Sequence, residues 1–267
     1  MNRYNTTRNL SYSGLMMALV FVATAIVPQV PIPFTKGYIH TGDSMIFVAA
    51  IMLGWRYGAV VAGLGSALAD LFLGFSHWAI PTLIIKGIMG GIVGFVANDL
   101  KNPKHNKIKN ILTYLLGVVW IVLAFYLKKL LNNKLGNVVN SDLAKSLISE
   151  FNLKNSQELL NLINHVENVL FSSIIVIPIV IIILAIILNK KDKEIFSVKT
   201  LMGMTLAGLW MVIGYYFAGG VLTGNMIVPI FSIPANILQF VGGGIIAFPI
   251  IIGLKRTKYY QSIKEKS

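Results

Sequence analysis

Trp78 to Phe95 reads WAIPTLIIKGIMGGIVGF. The stretch is apolar enough to sit in a lipid bilayer, yet it contains Lys86. A charged side chain inside hydrocarbon costs several kcal/mol, so such residues are rare and tend to have a function. The rest of the chain repeats the pattern. Of 267 residues, 55% are hydrophobic and 12% charged, and the apolar residues fall in long blocks. A membrane-spanning helix needs about 20 consecutive apolar residues, and several blocks reach that length. The fold class is therefore all-α, a polytopic bundle of membrane helices.

Eight spans are expected: Leu10–Val27, Ile39–Trp55, Tyr57–Phe75, Ile80–Val96, Ile111–Leu127, Val169–Leu188, Leu201–Val221 and Ile230–Leu254. The second is the weakest, because Thr41, Gly42, Asp43 and Ser44 interrupt its start. With the N-terminus inside, 16 of the 23 lysines and arginines fall on inner segments, six fall outside, and Lys86 is the remainder. Positive charge marks the cytoplasmic side, so both termini are expected there, in a multi-pass cell-membrane protein. The net charge of +13 is accounted for by this distribution and does not imply nucleic acid. Arg3 and Arg8, an apolar run and Ala23-Thr24-Ala25 could also be read as a cleavable signal peptide. The expectation is that the segment is retained as the first helix.

The chain has no cysteine, and its four histidines lack metal-ligand spacing. No phosphate-binding G-x-x-x-x-G-K-[ST] motif is present. Asp43, Asp70 and His77 show no spacing that marks a hydrolase or transferase, so no catalytic residues, cofactor or metal are expected. A membrane enzyme and a purely structural subunit stand as the alternatives to a binding protein. Between Lys128 and Asn168, the only long polar segment, Leu143, Leu147 and Phe151 recur every four residues, with Leu159, Ile163 and Val166 close to that period. Two short amphipathic helices are expected there, with Ser141 and Ser156 as N-caps. The segment is a linker at the interface or a lid over an outward site.

The unusual polar residues share one depth. His40 and Asp43 open the second span, Asp70 lies near the outer end of the third, and Trp78 follows in the outer turn. Lys86 is six residues past Ile80, about 9 Å below the outer surface at about 1.5 Å per residue. Tyr215, Tyr216, Asn225, Asn236 and Gln239 occupy the outer parts of the last two spans. This asymmetry indicates an outward-facing solute pocket. Aromatic faces stack on flat rings, while amides and carboxylates read heteroatoms and hydroxyls. A small, flat, polar heterocycle suits that set, and a free lysine would favour an acidic or carbonyl group. Asp70 and Lys86 could instead be a neutralising salt bridge, and a lysine so near the surface could snorkel. Small residues form stripes: Ala59, Gly63, Ser66 and Ala69 in the third span, Gly87, Gly90, Gly91 and Gly94 in the fourth, and Gly242 to Gly244 in the eighth. Such stripes let helix backbones approach closely.

IHTGDSMIFVAAIMLGWRYGAVVAGLGSALADLFLGFSHWAIPTLIIKGIMGGIVGF, from Ile39 to Phe95, resembles the core of the substrate-binding (S) components of energy-coupling factor (ECF) transporters. More narrowly it is similar to the riboflavin-transporter-like group, which includes pyridoxine and hydroxymethylpyrimidine carriers. MVIGYYFAGGVLTGNMIVPIFSIPANILQFVGGG, from Met211 to Gly244, resembles the last two helices of that family. The joint pattern H-x-G-D, S-A-L-A-D, W-A-x-P-T-x-I-I-K-G and I-P-A-N-x-x-Q carries the likeness. The resemblance implies a six-helix core, a vitamin or precursor bound in its outer half, and docking on a transmembrane coupling subunit with two ATPases. It implies a substrate site at Trp78, Lys86, Tyr215, Tyr216, Asn225, Asn236 and Gln239, with Phe34, Lys36 and Tyr38 in a gate loop, and the shared depth adds Asp43 and Asp70 to the expected site. Gly14 and Ala18 would contact the coupling subunit, although the family pattern has alanine at both positions. Residues 1–100 would hold core helices 1–4 and residues 101–199 an inserted helix pair with its outer linker. Residues 200–267 would hold core helices 5–6 and a basic tail.

Overall fold

Proline, glycine and small side chains decide where this chain turns and how closely its helices pack. The computed structural model describes residues 3–32, 37–98, 142–166 and 198–255, with single positions 122, 129, 168 and 172. Helix α1 covers Arg3–Ala25 and stops just ahead of Pro28. Gln29 Nε2 donates to the carbonyls of Thr24 at 2.8 Å and Ala25 at 3.2 Å, which would otherwise be unpaired at the helix end. Strands β1 Val30–Ile32 and β2 Gly37–Ile39 follow as an antiparallel pair, with Pro31 opposite Tyr38.

Helix α2, Gly42–Leu53, has 12 residues. At about 1.5 Å per residue it is about 18 Å long, too short for a bilayer core of about 30 Å. This corrects the expected span Ile39–Trp55. Its start is set at Thr41, whose hydroxyl donates to Ala23 O at 3.0 Å and whose carbonyl accepts from Ser44 N at 3.0 Å. Its end is Gly54, at φ 81°, a backbone conformation that glycine adopts without strain. Nearly all of α2 is buried, as a helix apolar on every side must be. It packs against α1, against α3 (Trp55–Phe72) and α4 (Ser76–Asn98), and against the last helix.

Two further short helices, α5 (Asp142–Glu150) and α6 (156–166), precede α7 (Val198–Thr223). A 3-10 turn, Val228–Ser232, then leads into α8 (Ile233–Lys255). Among the described residues, Ser76–Ala97, Gly203–Thr223 and Val228–Leu254 are long and apolar enough to cross a membrane. The expected spans Ile111–Leu127 and Val169–Leu188 lie outside the described residues, apart from positions 122 and 172. Leucine, isoleucine and phenylalanine at positions 64, 68, 72, 80, 84, 88 and 95 face outward from α3 and α4, Ile80 being 71% exposed. Such a surface would associate in water but is the natural face toward lipid.

The most extensive helix contact is α3 on α4, and it is built from glycines. A Cβ on Gly63 would lie 2.7 Å from the Leu83 carbonyl oxygen, and one on Gly94 would lie 2.6 Å from Trp55 N. Neither neighbour is a flexible side chain that could give way. Gly14, by contrast, has open space around it. Gly63→Val is expected to lower the melting temperature of the detergent-purified protein by several degrees, whereas Gly14→Val leaves it unchanged. Equal melting curves for the two variants would refute the packing account.

The polar linker folds back on the bundle. Ala144, Leu147, Phe151, Leu159, Ile163 and Val166 are buried and join the core alongside Val228, Ile230 and Phe231. Phe151 meets Phe231 edge-to-face at 4.9 Å. Asn155 Oδ1 accepts from Glu158 N at 2.9 Å, so Asn155, and not Ser156, caps α6. The cap lies one residue earlier because the asparagine side chain reaches the third helical N–H. Ser141, the other expected cap, is outside the described residues. Phe151→Ala should cost on the order of 3 kcal/mol of local stability. Hydrogen exchange should then quicken in 142–166 and 228–232 while α3 and α4 keep their protection.

Candidate functional site

Lys86 is the eleventh residue of α4 and not a surface group. Because the helix begins at Ser76, four residues before the expected Ile80, Lys86 lies about 15 Å along it. Lys86 and Asp43 are both fully buried and form an ion pair through Lys86 Nζ and Asp43 Oδ1. Lys86 is thus neither a snorkelling residue nor the partner of Asp70, as the sequence had allowed. The physical reason is the late start of α2. Its first turn, including Asp43, lies inside the bundle, where a carboxylate also suits the positive end of the helix dipole.

The ammonium has three neighbours among the described residues. It donates to Asp43 Oδ1, Met211 Sδ lies 2.9 Å away, and the Tyr215 ring centroid lies 5.5 Å away. The other carboxylate oxygen, Asp43 Oδ2, accepts from Gln239 Nε2 at 3.2 Å. Gln239 Oε1 accepts from His40 N at 3.3 Å, and Gly42 N donates to His40 Nδ1 at 3.1 Å. Gly243 lets α8 come this close, since a Cβ there would lie 2.8 Å from Asp43 Cβ.

Above this cluster is a cavity of about 630 Å³, its open mouth included. Asp70, Trp78, Tyr215, Asn236 and Gln239 from the expected set line it, as does Tyr38 from the gate loop. Asp43 and Lys86 are not in its lining and lie beneath it, reached through Gln239 and Tyr215. Tyr216 does not line the cavity either; it packs on the core and lies 5.4 Å from the Phe217 ring. Asn225 is used up in the turn, where its Oδ1 accepts from Ile227 N at 2.8 Å. Phe34 and Lys36 lie outside the described residues. Gly14 and Ala18 are on the exposed face of α1.

The walls are partly aromatic. Trp78 and Tyr215 meet edge-to-face at 5.8 Å, and Tyr38 lies 5.1 Å from the Phe75 ring. Tyr215 OH is 3.2 Å from Thr82 Oγ1. Tyr38 OH donates to Asp70 Oδ1 at 2.8 Å. Burial, and then the Asp70 carboxylate, push the Tyr38 phenol above its ordinary range, so it stays protonated and a donor at neutral pH. Asp70 Oδ2 is buried without a hydrogen-bond partner among the described residues.

Thr82, Gly219, Thr223 and Ser232 also line the cavity but were not in the expected set, and His40, placed at the same depth by the sequence, joins them. For Thr82, Gly219 and Thr223 the signal was helical spacing. Trp78, Thr82 and Lys86 recur every four residues on α4, and Met211, Tyr215, Gly219 and Thr223 do so on α7.

A family model for the ECF-type riboflavin transporter, S component, matches residues 4–183 and 158–256. The chain belongs to this family. The family is a transporter component and not an enzyme. With the apolar helices, membership identifies an integral membrane protein. A Pyrococcus woesei protein described as uncharacterized, in a gap 3′ region, is 42% identical over 79 residues, 30% of this chain and 53% of its own length. The thiamine precursor transporter HmpT of Lactococcus lactis subsp. cremoris (strain MG1363) is 34% identical over 88 residues, 33% of this chain and 52% of HmpT. The chain spans about half the length of the curated relatives it matches. No solved structure matches it.

Removing one partner of a buried pair strands a charge and costs about 3–5 kcal/mol, whereas replacing both can be close to neutral. Lys86→Met should therefore lower thermal stability sharply, and adding Asp43→Asn should restore most of it. A double variant no more stable than Lys86→Met would show that the two charges do not depend on each other.

Proposed function

We propose that this chain is the substrate-binding subunit of an ECF-type importer, capturing a small water-soluble vitamin or vitamin precursor on the extracellular side. The observation that carries the reading is the cavity. Trp78, Tyr215 and Tyr38 supply ring faces, and Asp70, Asn236 and Gln239 supply polar edges, all at one end of the bundle. That combination suits a flat polar ring. The family's description includes riboflavin and the L. lactis relative carries a thiamine precursor, so a ligand of this kind fits both likenesses. Asp43 and Lys86 act as organisers of the pocket floor.

The cavity lies where α1 and α3 end and α2, α4 and α8 begin, opposite the end of the bundle where Arg56 opens α3. Positive charge on that opposite side supports cytoplasmic termini and an outward pocket. The reading includes a six-helix core carrying an inserted pair, and docking on a coupling subunit with two ATPases. The exposed stripe at Gly14 and Ala18 supports α1 as the docking face, because small residues permit close helix approach.

Titration of the purified protein in nanodiscs with riboflavin, pyridoxine and hydroxymethylpyrimidine should find at least one ligand bound 1:1. Trp78→Ala or Asn236→Ala should weaken that binding at least tenfold with an unchanged melting temperature. Gly14→Val should bind normally yet lose uptake in cells that express the coupling module. No binding of any vitamin-type ring by stable wild-type protein would defeat the proposal.

A further inference from the structure

The ion pair beneath the cavity reverses the charge a ligand meets. Read in sequence, Lys86 was a cation available to an acidic or carbonyl ligand. In the structure its charge is spent on Asp43, and both oxygens of that carboxylate are occupied in turn, by Lys86 and Gln239. Asp70 is then the carboxylate in the lining, and no lysine or arginine lines the cavity among the described residues.

Most other polar groups in the wall are already engaged. Tyr215 OH pairs with Thr82, and Ser232 Oγ donates to Pro229 O at 2.7 Å. Thr223 Oγ1 donates to Gly219 O at 2.8 Å, and Gln239 serves Asp43 and His40. Asp70 Oδ1 is taken by Tyr38. Asp70 Oδ2 is left: it makes no hydrogen bond among the described residues, 95% of its residue's surface is buried, and the Thr82 hydroxyl that acts on this carboxyl already accepts from Tyr215. A buried carboxylate oxygen left unpaired carries a desolvation penalty that a donor relieves.

We propose that the ligand supplies that donor: an exocyclic amino group on a flat heterocycle, directed at Asp70 Oδ2. This rests on the binding reading above and names the chemistry of its ligand. The same carboxylate disfavours any ring bearing an acid or phosphate, because like charges in a low-dielectric pocket repel strongly. Selection is thus for amino-bearing rings and against anionic ones.

The test uses wild-type protein in nanodiscs and four probes: 4-amino-5-hydroxymethyl-2-methylpyrimidine, the same ring with hydrogen in place of the amino group, nicotinate and riboflavin. A hydrogen bond to a charged acceptor is worth roughly ten- to hundredfold in affinity. The amino ring should bind tightest, its deamino analogue at least tenfold more weakly, and nicotinate not measurably. Asp70→Asn, checked for folding by gel filtration, should shrink the difference between amino and deamino rings to under threefold. The comparison of ligands on wild-type protein decides the matter even if that variant fails to fold. Equal affinity for the two pyrimidines, or a preference for riboflavin or nicotinate, overturns this inference while leaving a vitamin-binding subunit intact. Binding of no heterocycle at all overturns both.

Discussion

The buried pair of Asp43 and Lys86 is the constraint on which the rest of the molecule depends. It joins the first turn of α2 to the middle of α4, and through Met211, Tyr215 and Gln239 it reaches α7 and α8. An unpaired ammonium at this depth would be prohibitive in hydrocarbon, so the lysine requires a carboxylate at its own level. That requirement accounts for the short second helix. A full-length α2 would carry its first turn up to the interface, and Asp43 with it. Strands β1 and β2 and the loop through His40 instead bring the chain down into the bundle before the helix begins.

Close packing makes this geometry possible. Glycines on α3 and α4 bring the two backbones into contact, which holds Asp70 on one helix near Trp78 and Thr82 on the other. Gly243 does the same between α8 and α2. The linker adds a second layer at the pocket end. Phe151 packs on Phe231, and the 3-10 turn around Phe231 supplies Val228, Pro229 and Ser232 to the wall. The wall thus depends on contacts distant in sequence, not on local helix propensity alone.

Much of this could be read before any coordinates. The membrane class follows from the apolar blocks, and Asp70, Trp78, Tyr215, Asn236 and Gln239 follow from a shared depth. Depth alone could not pair Lys86, because Asp43 and Asp70 both sit at outer helix ends and hydropathy does not reveal that α2 starts low. Tyr216 shows a different limit. Successive helical residues point about 100° apart, so Tyr215 and Tyr216 do not share a face, and the helical period would have separated them. Asn225 is absent from the lining because a turn asparagine commonly bonds to its own backbone neighbours, as it does to Ile227.

The same organisation bears on how a bound solute would leave. The cavity floor is an ion pair with its hydrogen-bond partners satisfied, and the helices around it are locked by backbone contact at Gly63, Gly94 and Gly243. Opening a route downward would separate those charges and expose them to lipid, which costs several kcal/mol per ion. The sequence holds no phosphate-binding motif with which to meet that cost. In the proposed assembly the cheaper path is to move the domain as a body. Its apolar outer faces would tolerate reorientation in lipid, with the work supplied by the ATPases of the proposed coupling module.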